Sequence, residues 1–185
     1  FGHADQNSLL HLVEALEAPQ SFKSDKIINF GLLEIMFLVA HARLTCKKGH
    51  SVFDRLEELL DENGPQSVQH AIEARKKAWK TSSKIEKRNF NFSPLKSAQT
   101  LREFYKAETT GFPDDSSNFQ WGNHMTTGQP ILRDFYNAMP FKTDEMMEKI
   151  RPIYEEIRAK YPDIRVGIIA DMSAAAIFLR LSDSF

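Results

Sequence analysis

Apolar side chains recur along this chain mainly every three or four residues, the spacing of one face of an α-helix. Together with helix start and stop signals, this spacing predicts a series of helices. Helices with both ends predicted cover Leu9–Leu16, Ser24–Cys46, Ser51–Gly64, Ile131–Met139 and Ile164–Leu181. Three further helices are predicted to begin at Pro65, Ser93 and Thr143. We therefore predict a mainly α fold, a helical domain of about seven to nine helices.

Capping residues define several of these helix starts. Ser51 followed by Asp54 resembles a capping box, in which the serine hydroxyl accepts a main-chain N–H of the first turn. Gly64 suits the end of that helix, and Pro65 suits the first turn of the next one. The Ser93-Pro94 pair repeats the same start signal.

The last two predicted helices each leave a choice. An apolar arc follows Thr143 at spacings of 3, 4, 3 and 4, and we expect it to be core, although it would also suit docking of another subunit. The arc consists of Met147, Ile150, Tyr154, Ile157 and Tyr161, and Pro152 should kink this helix. Ile164–Leu181 fits a strand and a helix, or two short helices broken near Gly167. We favour helices because no other segment supplies strands.

The helical pattern breaks between residues 108 and 130. This stretch is rich in turn-forming residues, and we predict a long loop or linker there. It would separate an N-terminal helical lobe, residues 1–107, from a C-terminal helical lobe, residues 131–185. Trp121 and His124 lie in the predicted loop, where an exposed Trp or Phe either recognises a partner or pins the loop to a lobe.

Composition narrows the class of protein. With 185 residues, 42% hydrophobic and 26% charged, the chain suits one globular domain. A single cysteine, Cys46, excludes an internal disulfide and a four-cysteine zinc site, which fits an intracellular, cytoplasmic location. The most apolar stretch, residues 27–46, is long enough for a bilayer but carries Glu34, His41 and Arg43. We predict a buried helix there and no membrane span.

Charge is strongly segregated along the chain. The formal net charge is −4 over residues 1–64, +7 over residues 65–107 and −4 over residues 108–185. Solubility alone would be served by mixed charge throughout, so the acidic, basic, acidic order indicates a function for the central basic segment, residues 75–96.

Within that segment, six basic residues lie opposite Val68 and Ile72 on one helical face, and two aromatic residues alternate with asparagines directly afterwards. Cations neutralise phosphates, and aromatic rings stack on unpaired bases. We therefore predict a nucleic-acid site made of Arg75, Lys76, Lys77, Lys80, Lys84, Lys87, Arg88, Phe90 and Phe92. A solvated lysine face with core phenylalanines, or a face that docks an acidic protein, fits the same pattern.

Two histidine–glutamate pairs stand one helical turn apart, His11 with Glu14 and His70 with Glu73. They are weak metal-site candidates, because short pairs of this kind arise by chance, and we predict no metal, other cofactor or catalytic residue. Glu34 and His41 also share a strip on the long apolar helix, together with Thr45 and Lys48. We expect this strip to be the solvent edge of its helix.

Three functions remain open. The first is a helical protein that binds RNA or single-stranded DNA and assembles along the strand in a nucleocapsid- or coat-like role. The second is a non-catalytic subunit of a larger complex, whose basic face docks an acidic partner. The third is a small metal protein or enzyme that uses the histidine–glutamate pairs. The residues favour a binding protein over an enzyme, with self-association or partner subunits, and we predict the first function.

Overall fold

The computed structural model describes residues 30–62, 64–81, 93–112, 114–140 and 143–183. These ranges are almost entirely helical and contain no strand. In chain order the helices are α1 Phe30–Thr45, α2 Val52–Glu62, α3 Pro65–Thr81, α4 Ser93–Lys96, α5 Leu101–Gly111, α6 Ser117–Thr126, α7 Pro130–Ala138, α8 Thr143–Lys160 and α9 Val166–Ser182. The predicted mainly α fold is confirmed. The helix predicted over Leu9–Leu16 lies outside the described residues.

Two helices with apolar residues on nearly all sides, α1 and α9, form the centre of the fold. α9 packs against α1, α7 and α8, and α1 also packs against α2. Side chains such as Leu38, Ile169 and Met172 are fully buried there. α5 connects this centre to the rest, because it contacts α2, α3, α4 and α6. No helix in the described ranges is long and apolar enough to cross a bilayer.

Local capping signals set several helix starts as predicted. The Phe53 main-chain N–H donates to Ser51 Oγ at 3.2 Å and opens α2, and Pro65 occupies the first turn of α3. The Ser93-Pro94 signal produces only the four residues of α4. A second cap, in which Glu103 N–H donates to Thr100 Oγ1 at 3.2 Å, then begins α5.

The prediction of a loop over residues 108–130 is wrong for most of that stretch. α5 continues to Gly111, and α6 covers Ser117–Thr126 with Ser116 as its cap. Turn conformations are confined to two short connections, one between α5 and α6 and one at residues 127–129 after α6. Gly122, one of the glycines of the predicted loop, is helical, and α6 packs closely against α5 at this point. The division into two lobes, residues 1–107 and 131–185, stays a prediction.

The buried face of α8 includes two residues, Met146 and Ile153, that are not in the predicted arc. Met146, Ile153 and Ile157 are buried, whereas Met147 is 70% exposed, so the prediction that Met147 is core is wrong. Because Met146 and Met147 are adjacent, either could begin the buried face of α8, and packing against α7 and α9 buries Met146. Pro152 lies inside α8 on its exposed side.

Glu34 and His41 are not at a solvent edge. Glu34 is fully buried and His41 is 8% exposed, so that prediction is wrong for both residues. α1 lies between α2 and α9, and a helix that is apolar on all sides leaves no polar face to indicate which residues will be exposed.

Hydrogen bonds hold the connection between α8 and α9 against α6. Gln120 uses both ends of its amide: Nε2 donates to the Asp163 carbonyl at 2.8 Å, and Oε1 accepts the Arg165 N–H at 2.9 Å. The Arg165 guanidinium donates to the Asp115 carbonyl at 2.8 and 3.0 Å. α9 then runs as a single helix, and Gly167 lies in its first turn without breaking it.

Candidate nucleic-acid interface

α3 is the part of the predicted nucleic-acid site that the structure describes best. Its buried residues are Ser67, Val68, Ala71, Ile72 and Ala74. α3 packs against α4 and α5. The apolar face predicted around Val68 and Ile72 therefore anchors α3 to the fold.

The opposite side of α3 faces solvent. Gln66 and Gln69 are exposed, and Glu73 and Lys76 are half-buried. The helical backbone continues to Thr81, so positions 77 and 80 follow Glu73 at spacings of four and seven residues. Residues at these spacings share one face of a helix, and positions 76, 77 and 80 therefore extend the solvent-facing row.

Position 75 lies in a different row. It follows Val68, Ala71 and Ile72 at spacings of seven, four and three residues, and these three side chains are buried. Of the predicted site positions within α3, positions 76, 77 and 80 therefore lie away from the buried row and position 75 lies in it. The remaining predicted site residues, Lys84, Lys87, Arg88, Phe90 and Phe92, lie outside the described residues.

Arg102 belongs to the basic region of the sequence but is held by carboxylates of α2. Its Nε lies 2.6 Å from Asp61 Oδ1, and its Nη2 lies 2.9 Å from Glu57 Oε2. The hydrogen bond to Asp61 is the largest cause of a raised pKa of Arg102, although partial burial opposes it. This cation therefore joins α5 to α2 and is not available to a phosphate.

Arg55 holds two further carboxylates of α2. Its Nη1 lies 2.8 Å from Glu62 and 3.0 Å from Glu58. The hydrogen bond from Arg55 lowers the pKa of Glu62. With the pairs made by Arg102, two guanidinium groups offset half of the charge of four α2 carboxylates, which reduces the repulsion that this helix would exert on a polyanion.

Within the described ranges, the pair His70 and Glu73 has no third side chain beside it that would complete a metal site. Glu73 Oε1 accepts a hydrogen bond from Gln69 Nε2 at 3.1 Å, and His70 is half-buried on the same helix. No group of three or more His, Cys, Asp or Glu side chains in these ranges could hold a metal ion. His11 and Glu14 lie outside them.

Trp121 and His124 are core residues rather than parts of an exposed loop. Trp121 is 6% exposed, and its ring lies 3.3 Å from the position that a Cβ on Gly31 would occupy. His124 is 4% exposed, and burial lowers its pKa to about 4. Its Nε2 has no hydrogen-bond partner within the described residues. The sequence signal for this helix was Ser116, a good N-cap followed by apolar residues at helical spacing.

Comparisons with protein-family models, curated proteins and solved structures give no significant match.

Proposed function

We propose that this protein binds single-stranded nucleic acid, RNA or DNA, through the solvent-facing row of α3 and the basic, aromatic segment that follows it. The observation that carries the proposal is the register of α3. Burial of Val68, Ala71 and Ile72 leaves positions 76, 77 and 80 on the opposite side, as a phosphate-binding row requires. Lys84, Lys87, Arg88, Phe90 and Phe92 complete the proposed site.

The chemistry of the two parts is complementary. Lysines along one helical face neutralise successive phosphates and release counterions, which gives affinity without sequence preference. Phe90 and Phe92 then supply faces on which unpaired bases stack, and this contribution favours a single strand over a duplex. Arg75 is the least favourably placed of the proposed residues, because its position is in the buried row of α3.

Assembly along the strand is a second part of the proposal, and the charge segregation supports it. Acidic regions on both sides of a basic region allow neighbouring copies to contact one another while each copy binds the strand. Affinity per site should therefore increase with the length of the oligonucleotide.

The test is fluorescence anisotropy with a 5′-labelled single-stranded RNA, titrated at several salt concentrations. In K76Q/K77Q/K80Q we expect weaker binding and a shallower dependence of affinity on salt. Each lost phosphate contact removes about 0.7 from the log–log salt slope for a single strand, so three contacts remove about 2.

The matched control is K47Q/K48Q/K106Q, which removes the same charge at three exposed lysines elsewhere. It should keep the wild-type salt slope. Equal loss of slope in both triple variants would mean that total charge matters rather than the α3 row. Equal affinity for polyglutamate would assign the row to an acidic protein partner, and absence of RNA binding at low salt would remove the proposal.

A further inference from the structure

Four charged residues form a stripe on the exposed face of α8. Glu148, Arg151, Glu155 and Arg158 follow one another at spacings of 3, 4 and 3, and all are exposed. They lie on one side of the helix because these spacings match its period. In the part of the chain that the structure describes, none of the four makes an ion pair.

The burial of α8 fixes the direction of this stripe. Met146, Ile153 and Ile157 hold the opposite side of the helix in the core. The stripe therefore points away from the protein, and its side chains can contact another molecule without any rearrangement of the fold.

The order of charges in the stripe is self-complementary. When two copies of α8 lie antiparallel about a two-fold axis at the level of residue 153, Arg151 is opposite Glu155 of the other copy and Glu148 is opposite Arg158. The two-fold axis repeats both contacts, so four acid–base pairs form and no like charges meet. Such a self-complementary patch is what an isologous dimer requires.

The exposed side chain of Met147 and a surface cleft lie at opposite ends of the stripe, so an antiparallel second copy brings one against the other. Met147 is 70% exposed at one end of the stripe. A cleft of about 410 Å³ lies at the other end, lined by Glu155, Arg158, Ala159, Pro162, Ile164 and Val166. In the antiparallel arrangement, Met147 of one copy reaches the level of Ala159 in the other, where this cleft is located. A flexible methionine can pack against the apolar part of this cleft, which Ala159, Pro162, Ile164 and Val166 provide.

We propose that the exposed face of α8 binds a second copy of this chain in an antiparallel, two-fold symmetric contact. The reciprocal ion pairs set the register, and Met147 occupies the partner's cleft. The contact involves α8 and the residues that line the cleft at its end, a small area, so the dimer is weak and depends on protein concentration. It is independent of nucleic acid, and its failure would leave the proposed function unaffected.

The test is sedimentation equilibrium of the full chain without nucleic acid, over a range of protein concentrations. We expect the wild type to dimerise and R151E to dimerise at least tenfold more weakly, because the new carboxylate at position 151 would then face Glu155 of the other copy. The double variant R151E/E155R exchanges the two charges and restores every pair. It should recover the wild-type dissociation constant.

The matched control is K149E, which reverses one charge on the same helix outside the stripe and should dimerise like the wild type. M147D should weaken the dimer, while circular dichroism stays unchanged for all variants because every altered residue is exposed. A monomeric wild type, an unaffected R151E, a double variant that does not recover, or a K149E as weak as R151E would each overturn the proposal.

Discussion

Gly122 of α6 lies directly against the main-chain carbonyl of Tyr105 in α5. A Cβ atom at position 122 would be 2.5 Å from that oxygen and 3.1 Å from Cβ of Glu108. Real Cβ atoms do not approach a backbone oxygen so closely, and the backbone cannot move aside as a flexible side chain could. The contact between α5 and α6 therefore depends on the absence of a side chain at this position.

We expect G122A to lower the free energy of unfolding by roughly 1–3 kcal/mol, because the added methyl group forces the two helices apart. Urea denaturation followed by circular dichroism measures this. G167A is the control, since a Cβ at position 167 meets no atom within 4 Å. It should be neutral or raise stability by up to about 1 kcal/mol. Equal urea midpoints for G122A and G167A would show that α6 can move away from α5 without a loss in the free energy of unfolding.

Burial of His124 predicts a loss of stability in mild acid. Its pKa is lowered to about 4 in the folded chain, whereas in the unfolded chain it titrates near the ordinary value of 6.5. Between these pH values the unfolded state binds a proton that the folded state does not. Stability therefore falls as the pH decreases from about 6.5 towards 4, by roughly 3 kcal/mol from this group.

The measurement is the free energy of unfolding at pH 7, 6 and 5 for the wild type and H124Q. Glutamine does not titrate in this range, so H124Q should lose less stability over the range whatever its stability at pH 7. H50Q removes an exposed histidine and should follow the wild-type slope. Parallel curves for H124Q and the wild type would rule out His124 as the source of the pH dependence.

Arg102 should be sensitive to replacement by lysine. Besides the two carboxylates, its Nη2 donates to the Glu57 carbonyl at 3.0 Å, so one guanidinium satisfies three groups of α2. An ammonium cannot reproduce this planar fork. The side chain is 29% exposed, which limits the effect, and we expect R102K to lose about 1 kcal/mol.

R158K is the control for this substitution. Arg158 is exposed and makes no ion pair within the described ranges, so at a protein concentration low enough for the monomer the same change there should leave the urea midpoint unchanged. Identical stability of R102K and the wild type would mean that a single charge is enough to hold α2 to α5.

Helix starts were predictable where the signal is local. Ser51 and Pro65 act on main-chain groups within one turn of themselves, so no knowledge of the rest of the fold is needed. Gly122 shows the opposite case. A glycine that permits a close helix contact is indistinguishable in sequence from a glycine that turns the chain, because the contacting carbonyl is contributed by Tyr105, seventeen residues away.

Burial in α1 and α8 could not be predicted for a related reason. α1 is apolar on all sides, so the burial of Glu34 depends on where α2 and α9 pack. In α8 either Met146 or Met147 could begin a helical apolar arc, and only the neighbouring helices distinguish them. The apolar side of α3 was predictable because Val68 and Ile72 are opposed by polar residues. The site beyond Thr81 stays a prediction.

The two hydrogen bonds of Gln120 have a consequence for how this protein can change during evolution. Both bonds go to main-chain atoms, at Asp163 and Arg165, so they are indifferent to the side chains present in that connection. Substitutions at the exposed residue 163 should therefore accumulate freely, whereas Ile164 is restrained by its own packing against the core. An added or deleted residue would instead separate the two groups that a single amide spans, so the length of this connection should vary much less than its composition.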